Sequence, residues 1–230
     1  MNGLALCAGI GGIEFGIKKI IPSYRTICYV EREIFAAANL VALMEKTQLD
    51  EAPIWDDIRT FDGTAWLGKV DLLTSGFPCQ PYSGAASGRN NEEQDVWPEI
   101  ANIIQQCRPK SVFLENVLIK SYIKPYKDLR NMGFEVKDPF VCSASEMGAP
   151  HRRRRIFVYA YDKSQPRLKI DAQTSWSKKN NETIWKNIPR SLGMVDGIPN
   201  RMDRLRVLGN SVMPSMATFA FKSLINEQTT

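Results

Sequence analysis

Short apolar runs alternate with helix-period stretches from the first residues of the chain, and that alternation restricts the fold more than any other feature. Leu4-Ala5-Leu6-Cys7 reads as a buried strand that breaks at Ala8-Gly9-Ile10-Gly11-Gly12. A helix follows through Ile13, Phe15, Ile17 and Ile20, and Pro22-Ser23 turns the chain. Thr26 to Val30 is the next strand, ended by Glu31, and Ile34 to Met44 carry helical periodicity. Ile54-Trp55 is a short strand, and Val70 to Thr74 is another that runs into Ser75-Gly76-Phe77-Pro78-Cys79. Trp97 to Cys107 forms an amphipathic helix with Ile100, Ile103 and Ile104 on one face. Ser111 to Leu114 is a strand ending at Glu115-Asn116. Tyr122 to Met132 is a helix closed by Gly133, and strands follow over Phe134 to Val141 and Ile156 to Tyr161. Undivided apolar strands separated by helices imply a parallel sheet covered on both faces.

The pattern stops after Asp162. The stretch to Asn200 is polar, with Lys178-Lys179-Asn180-Asn181 at its centre and Trp176, Trp185 and Ile188 as apolar anchors. Order resumes at Leu205 to Ser211, and Pro214 to Ile225 reads as a helix. The expected organisation is an α/β domain built from residues 1–161 and 205–230, interrupted by a segment over 162–204 that is short against ordinary domain sizes.

Composition narrows the chemistry. The five cysteines (Cys7, Cys28, Cys79, Cys107, Cys142) are widely spread and form no Cys-x-x-Cys pair, and His151 is the only histidine. A structural zinc site, any other metal site and a disulfide framework are therefore not expected, nor is a Ser-His-Asp or Cys-His hydrolase. No apolar run suits a membrane span and the first residues lack the pattern of a signal peptide, so a cytoplasmic protein is the expectation. The 30 Lys plus Arg exceed the 25 Asp plus Glu by five. The excess is uneven. Arg152 to Arg155 form an unbroken run, and the stretch from Lys163 to Arg206 adds more cations with few acids. A polyanion partner and a merely solvated face both fit this charge.

Ligands of open α/β sheets sit at the carboxyl ends of the strands. Gly9 to Gly12, Glu31, Asp57, Cys79 and Glu115 all fall at such ends. The glycine loop lets backbone approach a ligand closely, with helix N–H groups facing it. Glu31 follows about 20 residues on, where an acid can accept both hydrogens of a ribose diol. Alone, this combination also fits a tight turn and a capping acid, and it does not choose between a dinucleotide and S-adenosylmethionine. Cys79 stands apart from the other four cysteines. It lies between Pro78 and Pro81 in a loop rich in Gly and Ser, whereas the others fall within strands or helices. Glu115 at the end of the following strand is placed to share a proton with a ring near that thiol, or simply to cap the next helix.

In this order the segments resemble the cytosine-5 DNA methyltransferases, nearly end to end. Leu6 to Gly12 resembles their cofactor loop, Glu31 the ribose-binding acid and Asp57-Ile58 the pair that holds the adenine. Gly76 to Ser83 resembles the Pro-Cys-Gln nucleophile loop, and Glu115-Asn116-Val117 the Glu-Asn-Val segment. Gly148 to Arg155 is similar to the Gln-x-Arg-x-Arg segment, and Leu208 to Pro214 to the last block. The compact form resembles phage or prophage enzymes. Ala5, Cys7 and Arg32 depart from the usual Asp and two aromatic residues, and His151 replaces a Gln, while the nucleophile and Glu115 are intact.

The resemblance implies a Rossmann-like, S-adenosylmethionine-dependent methyltransferase with a mostly parallel sheet. Residues 162–204 would be a small inserted target-recognition segment. Cys79, Glu115, Arg153 and Arg155 would be catalytic. Cys7, Ala8, Gly9, Ile10, Gly11, Gly12, Glu31, Arg32, Asp57, Ile58, Pro78, Asn210 and Ser211 would hold S-adenosyl-L-methionine and its product S-adenosyl-L-homocysteine. Gln80, Ser83, Arg153, Lys178 and Lys179 would meet double-stranded DNA. The resemblance also implies a monomer in a bacterial or phage-infected cell, in a restriction-modification setting with a cognate endonuclease or an accessory recognition partner. A tRNA cytosine-5 methyltransferase and an inactive DNA-binding relative are the competing expectations.

Overall fold

The computed structural model describes residues 1–78, 95–166, 168 and 211–226. Eight strands form one sheet in the order β3-β2-β1-β4-β5-β8-β6, with β7 also paired to β8. The first five are β1 (Asn2–Leu6), β2 (Arg25–Val30), β3 (Ile54–Trp55), β4 (Leu72–Ser75) and β5 (Ser111–Asn116), and all pair in parallel. β6 (Phe134–Val136), β7 (Phe140–Ser143) and β8 (Arg154–Asp162) complete it. The sheet is mostly parallel, as expected, and wholly so in the half that carries the glycine loop. On the other side β8 runs antiparallel to β5, β6 and β7. The chain reverses there through a short 3-10 turn, Ala144–Met147, and Gly148 at φ 83°. A reversal of this length cannot supply the crossover that a parallel pair needs.

One strand expected over Phe134 to Val141 is two. Pro139 lies between β6 and β7, has no N–H to give a ladder, and the two strands instead share successive stretches of one edge of β8. The first strand begins earlier than expected, at Asn2, and ends one residue sooner, because Cys7 takes a left-handed backbone at φ 50° and already belongs to the loop.

The helices α1 (Gly12–Lys18), α2 (Ile34–Glu45), α3 (Trp97–Cys107) and α4 (Ile123–Asn131) precede the C-terminal α5 (Pro214–Asn226). On one face of the sheet, α3 buries Trp97, Ile100, Ile103, Ile104 and Cys107 against Leu73, Val112, Leu114 and Val158. On the other, α1 and α5 bury Ile13, Ile17, Met216, Ala220, Phe221 and Leu224 against Leu72, Phe113, Phe157 and Tyr159. Alternate residues of β4, β5 and β8 therefore feed opposite cores, as a sheet covered on both faces requires.

Helix α5 reaches α1 because two glycines admit it. A Cβ at Gly12 would lie 2.2 Å from the carbonyl oxygen of Val212, and one at Gly16 would lie 2.5 Å from that of Pro214. Thr218 then donates its hydroxyl to the Gly16 carbonyl at 2.8 Å. Gly12→Ala and Gly16→Ala should each cost roughly 1–3 kcal/mol, the usual price of overpacking. Urea unfolding midpoints measure this, and unchanged midpoints would contradict the close approach.

Candidate active site

Three strand ends meet at the carboxyl edge of the sheet. A Cβ on Gly76, just past β4, would lie 3.4 Å from Glu115 Oε2 and 3.7 Å from the Cys7 carbonyl oxygen. The β1 loop, the β4 exit and the β5 end are thus in contact range of one another. The order β1-β4-β5 places the β4 exit between the other two.

The loop after β1 folds by left-handed residues. Cys7, Gly9 and Gly11 have φ of 50°, 56° and 75°. The Gly11 N–H donates to Ala8 O at 2.9 Å, closing the turn, and α1 begins at Gly12. Ala8 is tied to β2 by its N–H on Val30 O at 3.1 Å. Glu31 follows β2 directly. Its Oε2 accepts the Gly9 N–H at 2.7 Å and its Oε1 accepts the Glu33 N–H at 2.8 Å. Each oxygen keeps capacity for a further donor. Burial pushes the Glu31 carboxyl up, and the backbone donors of Glu33, Gly9 and Arg32 oppose that push. A side chain at Gly9 would meet no atom within 4 Å, so open space lies beside the carboxylate. A glycine cradle next to a half-buried acid fits a ribose-bearing cofactor.

Other expected cofactor residues line the same edge. Arg32 is exposed and Ile10 half-buried. The Glu31 N–H donates to Trp55 O at 2.9 Å, which brings the end of β3 alongside. Asp57 caps the 3-10 turn Ile58–Thr60 by accepting the Arg59 N–H at 3.0 Å, and Ile58 is buried beneath it. Pro78 is half-buried at the exit of β4.

Glu115 and Arg155 are both buried and form an ion pair, Nε to Oε1, at 2.7 Å. The pair crosses neighbouring strands, since Glu115 faces Phe157 in the register of β5 and β8. Burial raises the Glu115 carboxyl to about 7, against the opposing charges of Arg155 and Arg153. The run of four arginines splits. Arg153 and Arg155 turn inward, whereas Arg152 and Arg154 are exposed. Arg153 donates to the carbonyl oxygen of Ser211, so the expected catalytic and DNA-facing arginine holds the chain that leads into α5.

Two contributors carried no role in the sequence reading. Asn116 is buried and donates its amide to Phe77 O at 3.0 Å, fixing the backbone one residue before Pro78. The Tyr122 hydroxyl donates to Ile156 O at 2.8 Å, and its ring meets Phe77 edge-on at 5.9 Å. Asn116 sits within the quoted Glu-Asn-Val motif, so its position was visible although its partner was not. Cys79, Gln80, Ser83, Lys178, Lys179 and Asn210 lie outside the described residues. The four described thiols are poor nucleophiles. Burial pushes Cys28 up to about 11 and Cys7, Cys107 and Cys142 up to about 12. Among the described residues no cluster suits a metal ion and no helix is long and apolar enough to cross a membrane.

The raised Glu115 carboxyl has a consequence for stability. Between about 4.5 and about 7 the native state holds a proton that the unfolded state has lost, so stability falls as pH rises through that window. Arg155 offsets the fall by favouring the carboxylate. Arg155→Met should steepen it and carry it to higher pH, as measured by urea unfolding from pH 5 to pH 8. Glu14, also raised to about 7, contributes equally in both proteins and cancels in the difference. An unchanged pH dependence in the variant would show that the pair does not set the Glu115 carboxyl.

Comparisons with known proteins bear on the fold and the family. The family model described as C-5 cytosine-specific DNA methylase matches residues 1–196. A Type II methyltransferase, M.CviJI of Paramecium bursaria Chlorella virus IL3A, is 28% identical over 96% of this chain and 58% of its own length. M.PspPI of Psychrobacter sp. is 29% identical over 83% of this chain and 49% of its own. The chain therefore spans only about half the length of these curated relatives. Among solved structures, the Dnmt2 methyltransferase of S. pombe superposes with a TM-score of 0.67 at 14% identity, covering 100% of both chains. A putative DNA modification methyltransferase encoded within an E. coli prophage gives 0.57 at 20% identity, covering 71% of this chain and 47% of that one. At such identities the superpositions establish the methyltransferase fold, and the match over residues 1–196 establishes that the chain belongs to the C-5 cytosine-specific DNA methylase family.

Proposed function

We propose that the chain transfers a methyl group from S-adenosylmethionine to carbon 5 of cytosine in double-stranded DNA. The observation that carries this reading is the strand order. β4, whose exit leads through Pro78 to Cys79, lies between the glycine loop of β1 and Glu115 of β5. A nucleophile leaving that strand starts between a cofactor cradle and a buried carboxyl group.

Each residue then has a task. Glu31 would bind a ribose diol through the acceptor capacity that Gly9 and Glu33 leave it, with Cys7, Ala8, Ile10, Gly11 and Gly12 forming the cradle. Arg32, Asp57, Ile58 and Pro78 would line the base, and Asn210 and Ser211 would close the far side. The bound cofactor supplies an electrophilic sulfonium methyl group, which the unassisted cytosine ring is too weak a carbon nucleophile to take. The Cys79 thiolate attacks carbon 6, and the electron pair of the 5,6 double bond moves into the ring, making carbon 5 nucleophilic. Glu115, with a carboxyl poised near neutrality, would hold N3 and the exocyclic amine and supply a proton as charge develops. Arg155 keeps Glu115 in place and favours its ionised form on release. Once carbon 5 carries the methyl group and S-adenosylhomocysteine is left as the other product, the carbon-5 proton passes to water, the Cys79 thiolate leaves carbon 6, and N3 returns its proton to Glu115, which restores the ring. The base must leave the duplex to reach this edge, at a cost of about a few kcal/mol.

The exposed Arg152 and Arg154, with Gln80, Ser83, Lys178 and Lys179, would meet phosphates, with residues 162–204 as the recognition segment of a cytoplasmic monomer. A partner supplying further recognition and a cognate endonuclease both suit so short a segment. Transfer of tritium from labelled cofactor tests the reaction, with duplex DNA and tRNA as parallel substrates. DNA should be labelled, tRNA should stay at background, and Cys79→Ala should abolish labelling. Equal labelling by that variant would remove the nucleophile assignment, and preferential labelling of tRNA would change the substrate. Glu31→Ala should weaken S-adenosylhomocysteine binding by about tenfold or more in calorimetry, the loss expected for hydrogen bonds to a charged group.

A further inference from the structure

Glu14 is a buried acid that the proposed chemistry does not use. It lies in the first turn of α1, 2% exposed, among the apolar side chains Ile13 and Ile17. Its Oε1 accepts the Thr74 hydroxyl at 2.6 Å, while its buried Oε2 takes no hydrogen bond among the described residues. Thr74 is fully buried in β4 and also reaches Leu4 O of β1 at 3.5 Å. A Val at 74 and a Leu at 14 would fill this space without the cost of burying a carboxyl group, which is large unless something is gained. The position of the contact indicates the gain. Glu14 is two residues from Gly12, where the cradle ends. Thr74 is two residues from Gly76, where the backbone passes between Cys7 and Glu115.

We propose that Glu14 is a positioning residue, and that its hydrogen bond with Thr74 locks the helix behind the cofactor cradle to the strand that delivers Cys79, so that cofactor affinity and nucleophile placement are set together. The inference rests on the methyl-transfer reading above. The same bond links a hydroxyl on the central strand to the first turn of α1, where a carboxylate is favoured by the helix dipole. Around Glu14 stand Tyr24 and Tyr29 from the β2 side, both held well above the usual phenol range by burial and by its charge. Asp50 lies on the same side and is engaged by Lys18 of α1 and by the Thr26 N–H. Lys18 is therefore committed to Asp50. Ionised Glu14 depends on the Thr74 hydroxyl, and burial raises its carboxyl to about 7. The lock tightens as pH rises through neutrality and loosens below it.

Calorimetry with S-adenosylhomocysteine between pH 6 and pH 8.5, together with steady-state rates on duplex DNA, tests this. Thr74→Val should weaken binding roughly fivefold to tenfold, the effect of one buried hydrogen bond. It should also lower kcat with the KM for DNA unchanged, a split that general loosening would not give. Thr74→Ser should restore both. Wild-type affinity should fall from pH 8 to pH 6, and Glu14→Gln should flatten that part of the profile while Glu31 and Glu115 still titrate. Wild-type-like affinity and pH profiles in Thr74→Val and Glu14→Gln would overturn the lock and leave the methyl-transfer reading standing. Absence of cofactor binding in the wild-type chain would overturn that reading and the lock with it.

Discussion

Glu115 and Arg155 face each other across adjacent strands at 2.7 Å, both almost out of water. Removing Glu115 would strand Arg155 as a buried charge, a loss of about 3–5 kcal/mol in comparable pairs, whereas removing Arg155 would drive Glu115 to its protonated form. The remaining edge is arranged around that constraint. Asn116, next in β5, holds Phe77, and Arg153, two residues before Arg155, holds Ser211. Four pieces of chain distant in sequence are thereby fixed relative to one carboxyl group. Only because β8 runs antiparallel to β5 do Arg155 and Arg153 reach the same end of the sheet as Glu115.

That pair also sets the proton balance of the Glu115 carboxyl. Burial alone would keep Glu115 protonated, and two arginines pull it back to about 7. A group balanced there changes its proton with little free-energy cost in either direction. Glu31 is handled differently. It stays half-exposed and spends one contact of each oxygen on backbone N–H groups, which orient it without a counter-charge.

Much of the parallel half was legible in the sequence. Leu4 to Leu6, Thr26 to Val30 and Ser111 to Leu114 are undivided apolar runs, and Trp97 to Cys107 has an apolar face bounded by Pro98 and a left-handed Arg108. The direction of β8 was not legible, because Ile156 to Tyr161 is apolar on both faces whichever way it runs. The split at Pro139 was visible in principle, since a missing N–H marks a break. The glycine loop, Glu31 and Glu115 stood out as candidates because each sits where an apolar run stops. The roles of Asn116 and Arg153 did not, because both act on backbone carbonyls that any residue carries. Glu14 was hidden for a related reason: its place on α1 matches a capping acid, and only its bond to Thr74 distinguishes it.

The chain leaves β8 at Asp162, beside the start of β5, and Arg153 holds Ser211 beside the end of β5. These two anchor points lie at opposite rims of the sheet. At about 3.4 Å per residue they are separated by roughly 30 Å. Even a fully extended chain needs roughly nine residues to cover that distance. A chain joining the two rims therefore carries a fixed minimum of travel, and every residue removed from it comes wholly out of the length beyond that minimum.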